Sequence, residues 1–135
     1  MTTVVDASVA MRWCFMLDRS DRAANLVHSE ERLIAPELLI PEFINAAWGL
    51  VVYAGAPPDL AADSVSQIGR AFEELVPSVA LKDRALAIAL ELRHPAYDCF
   101  YLALAEMREV PLVTADDRLL RRCTNSPFAE LVRPL

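Results

Sequence analysis

The hydrophobic pattern changes period repeatedly along the chain. "TTVVD" is a short β-branched run ending on a carboxylate at Asp6, as a buried strand would. In "ASVAMRWCF", Val9, Trp13 and Met16 recur on one face at helical spacing. The polar "LDRSDR" leads into a second helix through Ala24 and Val27, with Ser20 or Asp21 as its cap. "RLIAP" predicts a second strand, and Pro36 and Pro41 both stand where a helix can begin. "EFINAAWGLVVYA" then predicts a long apolar helix stopped near Gly55 and the Pro57–Pro58 pair. A helix over roughly Asp59 to Glu74 precedes the strand-like "LVPSVA". "KDRALAIALELR" and "YDCFYLALAEMRE" predict two more helices, closed by Pro95 and Pro111. "PLVTAD" is a strand, "DRLLRRC" a short helix and "AELVRPL" a final edge strand.

Strands thus alternate with helices in the order β-α-α-β-α-α-β-α-α-β-α-β. That order predicts an α/β fold: one domain over residues 1–135, a three-layer α/β/α sandwich with a mainly parallel sheet. In such sheets ligands gather beyond the carboxyl ends of the strands.

Composition narrows the function classes. A chain of 135 residues, 55% hydrophobic and 24% charged, describes a compact globular protein. No run reaches the ~18 apolar residues that a membrane helix needs. No basic stretch precedes the apolar part of the N-terminus, so no signal peptide is read and a cytoplasmic location without membrane association is expected. Cys14, Cys99 and Cys123 form no CxxC pair and read as reduced, mostly buried thiols. His28 and His94 are far apart and read as helix-face or surface histidines. A net charge of −6 excludes a protein that coats nucleic acid by charge alone.

The chemistry lies in the acids. Asp6 ends the first strand, and Asp116 and Asp117 follow "PLVT". Glu42 sits just inside the helix after "RLIAP", and Asp98 opens the helix "YDCFYLALAE", where an aspartate is expected to cap the helix and face the rim. Asp6, Glu42, Asp98 and Asp116 therefore converge on one sheet edge. Clustered carboxylates repel unless a cation intervenes, and an all-oxygen set selects a hard ion, Mg2+ or Mn2+. Such ions suit hydrolysis of phosphodiesters. Arg12, Arg118, Arg121 and Arg122 follow the acids in sequence and are candidate RNA contacts, with an ordinary solvated helix face as the alternative. Trp13 could stack a base but reads more readily as core.

Two rival phosphoryl-transfer folds fit poorly. A haloacid-dehalogenase-like phosphatase needs a second aspartate where Ser8 stands, and a receiver domain needs a lysine late in the sheet, where Lys82 is not. A third alternative is a protein-binding module with an idle acidic cluster, since helices such as "INAAWGLVVYAG" offer apolar surface.

The blocks "VVDASV", "PEFINAAW", "YDCFYLALAE" and "LVTADDRL" resemble, in order and spacing, the four acidic blocks of PIN domains, and more narrowly of VapC-type toxins. The resemblance implies that Asp6, Glu42, Asp98 and Asp116 are catalytic acids and metal ligands. It gives Ser8 and Thr114 supporting roles as hydroxyls orienting the acids, and Asn45, beside Glu42 on its helix, a place in the outer layer of the site. Asp117 reads equally as exposed bystander or outer ligand. The family implies a Mg2+- or Mn2+-dependent endoribonuclease with an RNA substrate, a homodimer, and a cognate antitoxin partner.

Overall fold

A computed structural model describes all of residues 1–135. Five strands, β1 (Thr2–Val5), β2 (Arg32–Pro36), β3 (Glu74–Val76), β4 (Leu112–Thr114) and β5 (Val132–Pro134), form one sheet in the order β3-β2-β1-β4-β5. Every pairing is parallel. Seven helices complete the three-layer α/β/α sandwich: α1 (Ala7–Cys14), α2 (Ser20–Val27), α3 (Leu39–Ala54), α4 (Pro58–Gln67), α5 (Lys82–Leu92), α6 (Ala96–Arg108) and α7 (Asp117–Cys123).

The central strand explains itself. Val4 and Val5 of β1 are fully buried, as a strand covered on both faces requires. Helix α6 packs across β1, β2 and β4, burying Leu102, Leu104 and Tyr101, while α1 packs on α2 and α3. The buried apolar residues form a single continuous cluster. Helix α3 carries Pro41 in its first turn and ends at Gly55, whose φ of 75° supplies the left-handed turn that side chains resist.

Several boundaries differ from the sequence expectation. Helix α1 stops at Cys14, and Met16 lies beyond it, 93% exposed and off the apolar face. Neither Ser20 nor Asp21 caps α2: Arg19 holds that position with φ 60°, and the Ser20 hydroxyl accepts from the Leu17 N–H and donates to the Phe15 carbonyl. The predicted fourth helix ends earlier, passing into a 3-10 turn at Ile68–Ala71. The strand placed at "LVPSVA" is Glu74–Val76, because Pro77 has no N–H for the ladder and a 3-10 turn follows at Ser78–Ala80. No helix is long and apolar enough to cross a membrane.

From β1 the chain steps outward through β2 to β3, then returns to lay β4 on the other side of β1. The point where the direction reverses, between β1 and β4, is where open α/β sheets form their ligand crevice. The chain places its acids there.

Candidate active site

β1 ends at Val5, and Asp6 turns the chain into α1, accepting from the Val9 N–H as the helix cap. The Asp6 carboxylate is also held from both sides. Ser8 donates to Oδ1 at 2.5 Å, and the wholly buried Thr114 hydroxyl, at the end of β4, donates to Oδ2. The Ala115 N–H donates to Ser8 Oγ at 3.0 Å and the Asp116 N–H to Thr114 Oγ1 at 3.0 Å. This mesh joins the carboxyl ends of β1 and β4. Burial pushes the Asp6 carboxyl up to about 6, and the Asp98 charge adds to the rise, while the Ser8, Thr114 and Val9 bonds oppose it.

Glu42 lies in the first turn of α3, half-buried, and its Oε1 accepts from the Tyr101 hydroxyl of α6 at 2.5 Å. Burial raises the Glu42 pKa; the Tyr101 bond opposes this, and the charges of Asp98 and Asp6 reinforce it. Tyr101 is itself buried, which pushes its phenol far above the ordinary range, next to the Glu42 charge. Asp98 does not cap α6. Pro95 occupies the cap position, because its fixed φ starts the helix there, and Asp98 falls in the first turn. There its Oδ2 lies 2.6 Å from His94 Nε2. His94 is therefore not a surface histidine: its side chain is only 7% exposed and bonded to an acid of the site.

The structure thus brings Asp6, Glu42 and Asp98 within electrostatic reach of one another. Asp116 joins them less directly. Its carboxylate caps α7, accepting from the Arg118 N–H at 2.9 Å and the Leu119 N–H at 3.4 Å, and its own N–H reaches the mesh through Thr114. No group of three or more His, Cys, Asp or Glu side chains is arranged to hold a metal ion. The acids share a rim but not a closed ligand cage: both Asp6 oxygens and one oxygen each of Glu42, Asp98 and Asp116 are held by protein partners. The donor set still suits a hard cation: it is all carboxylate, with a buried member, Asp6, whose burial and whose neighbour Asp98 make its charge costly where no cation offsets it.

The remaining expected residues fall differently. Asn45 is exposed on α3, outside the bonds that hold the acids. Asp117 is 64% exposed and lies 3.6 Å from Arg19, which also donates to the Ala115 carbonyl. Arg12 is not free to clamp a phosphate: its guanidinium is spent on the Ser8 carbonyl and on the Asp18 carbonyl and carboxylate. Arg118, Arg121 and Arg122 are exposed along α7. Trp13 belongs to the interior, donating to the Ala23 carbonyl at 2.9 Å and tilting against Phe72. Tyr101 carries no signal of a site role in its apolar run, and His94 reads from the sequence as a helix-face or surface histidine. Spacing is the available signal for Tyr101, which lies three residues after Asp98 on α6; His94 precedes that helix, and no helical spacing marks it.

A parallel sheet with a carboxylate cluster at its switch point defines an acidic-site α/β protein. The chain belongs to the PIN domain family, whose model matches residues 3–124. It is 32% identical over 137 residues to ribonuclease VapC3 of Pyrobaculum aerophilum, across 99% of this chain and 100% of that protein. It is also similar to the crystal structure of PAE2754 from Pyrobaculum aerophilum, with a TM-score of 0.68 and 26% identity, covering 93% of this chain and 82% of that one. The resemblance drawn from the four acidic blocks therefore holds, as does the α/β architecture.

Proposed function

We propose that this protein is a Mg2+- or Mn2+-dependent endoribonuclease and the toxin of a toxin–antitoxin pair. One observation carries the reading: a buried carboxylate, Asp6, is suspended between two hydroxyls at the switch point and raised by burial and by the charge of Asp98. Burying such a group costs stability, and a group kept at that cost at a ligand crevice is a candidate for chemistry. The likeness to ribonuclease VapC3 supports RNA as the substrate.

Asp6, Asp98 and Asp116 would hold the principal ion, with Glu42 either completing its shell or orienting the attacking water. The ion supplies Lewis acidity toward water and the phosphate oxygens. Ser8 and Thr114 fix the Asp6 oxygens, so that the carboxylate does not rotate as its charge is used. Tyr101 holds Glu42 by one oxygen and leaves the other for the water or the ion. Water as nucleophile leaves 5′-phosphate and 3′-hydroxyl ends. A cytoplasmic homodimer that binds a protein antitoxin fits the exposed apolar side chains of α3, where Trp48 is 53% and Tyr53 80% exposed.

Incubating purified protein with RNA tests the reading. We expect cleavage with Mg2+, none with EDTA, and loss in Asp98→Asn. Cleavage retained in that variant, or cyclic phosphate products, overturns it. A binding module with an idle acidic cluster predicts no cleavage under any of these conditions.

A further inference from the structure

Beside the acids lies a cavity of about 310 Å3 that no apolar side chain lines; its walls are His94, Arg118, Arg121 and Arg122. We propose that this cavity seats a phosphodiester of the RNA strand adjacent to the one that is cut, and so holds the strand against the acid rim. The inference rests on the ribonuclease reading above for its substrate, but on different residues.

The charge distribution is the first argument. In a chain of net charge −6, Arg12, Arg19, Arg32, Lys82, Arg84 and Arg108 each pair with a carboxylate. Arg22, Arg70, Arg93 and Arg133 form no such pair either, but only Arg118, Arg121 and Arg122 are both unpaired and gathered around one space. Three unneutralised guanidinium groups facing one space repel one another, and an anion relieves that repulsion.

Helix electrostatics supplies the second argument. Arg121 and Arg122 lie in the last turn of α7, where a cation is favourable without any ligand. Arg118 does not fit that explanation. It sits in the first turn, at the positive end of the macrodipole, where a cation is unfavourable. Its spacing of three and four residues from Arg121 and Arg122 puts all three on one face.

The third argument is position. Arg122 donates to the Arg93 carbonyl at 2.9 Å, which fixes α7 to the segment leading into α6. His94, the next residue, lines the cavity and contacts Asp98 at 2.6 Å. One side chain therefore separates the basic cavity from the acid rim. A strand whose reacting phosphate lies at Asp98 carries its next phosphate toward the arginines. Planar guanidinium groups suit phosphate oxygens in pairs and read no base.

The test uses the Asp98→Asn chain in EDTA, so that RNA is bound but not cut, with a fluorescently labelled single-stranded RNA read by anisotropy across salt concentrations. Adding Arg121→Ala and Arg122→Ala is expected to weaken binding by about tenfold or more and to lower the salt slope by roughly 0.7 for the lost phosphate contact. Arg118→Ala is a second variant that leaves the backbone cap on Asp116 in place, and a smaller loss is expected from it. Inorganic phosphate should compete with RNA on the parent chain and compete poorly once the arginines are gone. Unchanged affinity and salt slope in both variants, with thermal melts showing a folded protein, overturn the proposal. Competition by a polyglutamate peptide but not by phosphate also overturns it, because the cavity would then serve a protein partner. If wild-type protein fails to cut RNA yet the arginine variants lose binding as described, the nuclease reading fails and the cavity stands. Cleavage with unaltered binding in both variants gives the reverse.

Discussion

The Tyr101 hydroxyl donates to Glu42 Oε1 at 2.5 Å, joining α6 to α3 across the acid rim between residues 59 positions apart in sequence. Removing the hydroxyl leaves a half-buried carboxylate without its partner. Tyr101→Phe is expected to cost about 1–2 kcal/mol, to raise the Glu42 pKa further, and to lower the rate of RNA cleavage. Chemical denaturation and a pH–rate profile measure both effects. A profile identical to wild type would mean that Glu42 plays no part in the rate.

Asp6 binds its proton more tightly folded than unfolded, so without divalent ions stability should fall as pH rises from about 4 to about 6 and level off above that. A carboxyl moved from 3.8 to about 6 accounts for a loss of about 3 kcal/mol across that window. Asp6→Asn keeps an acceptor for Ser8 and Val9 and can donate to Thr114 Oγ1. We expect it to melt higher than wild type at pH 7.5 in EDTA, to flatten the pH dependence, and to be inactive. A lower melting temperature would show that the charged carboxylate is not a burden to the fold.

Thr114 serves two partners at once, donating to Asp6 and accepting from the Asp116 N–H. Thr114→Val removes both bonds with little change of volume. The expected loss is about 2–3 kcal/mol, since a backbone donor at a strand end is left unpaired, and the Asp6 pKa should rise above about 6. Thr114→Ser should restore most of both properties. Equal losses for Val and Ser would point to packing and not to the hydroxyl.

A divalent ion that binds only the folded state raises stability by mass action, by about 2.7 kcal/mol at a hundred times its Kd. Mg2+ should therefore raise the melting temperature, more at pH 7.5 than at pH 5, where protons compete for Asp6. Asp98→Asn and Glu42→Gln should each reduce the gain. A Mg2+ effect of the same size in these variants would locate the ion elsewhere.

Much of this was legible in the chain because strand ends are marked by their chemistry. "TTVVD" and "PLVTAD" each run apolar residues into a carboxylate, which fixes both the strand and the residue at its rim. Only three residues of the second run are strand, and the sheet is wholly parallel, but the rim position of Asp6 is unaffected. Local signals failed where backbone constraint outranked propensity. Pro95 begins α6 before Asp98 can cap it, and Pro77 cuts β3 short. The partners of the acids were hidden for another reason. Tyr101 sits in an apolar run that reads as core, and it is core at 1% exposure; only its hydroxyl reaches the site. Arg12 failed in the opposite sense, because the nearby Asp18 claims its guanidinium.

The mesh of Asp6, Ser8 and Thr114 spans 108 positions of sequence, so its halves leave the ribosome far apart in time. Until β4 is synthesised and slotted in beside β1, Asp6 has no hydroxyl on its second oxygen and Asp116 is absent altogether. A chain that stops short of β4 lacks the completed mesh. On the nuclease reading proposed above, cleavage therefore waits until nearly all of the chain has been made.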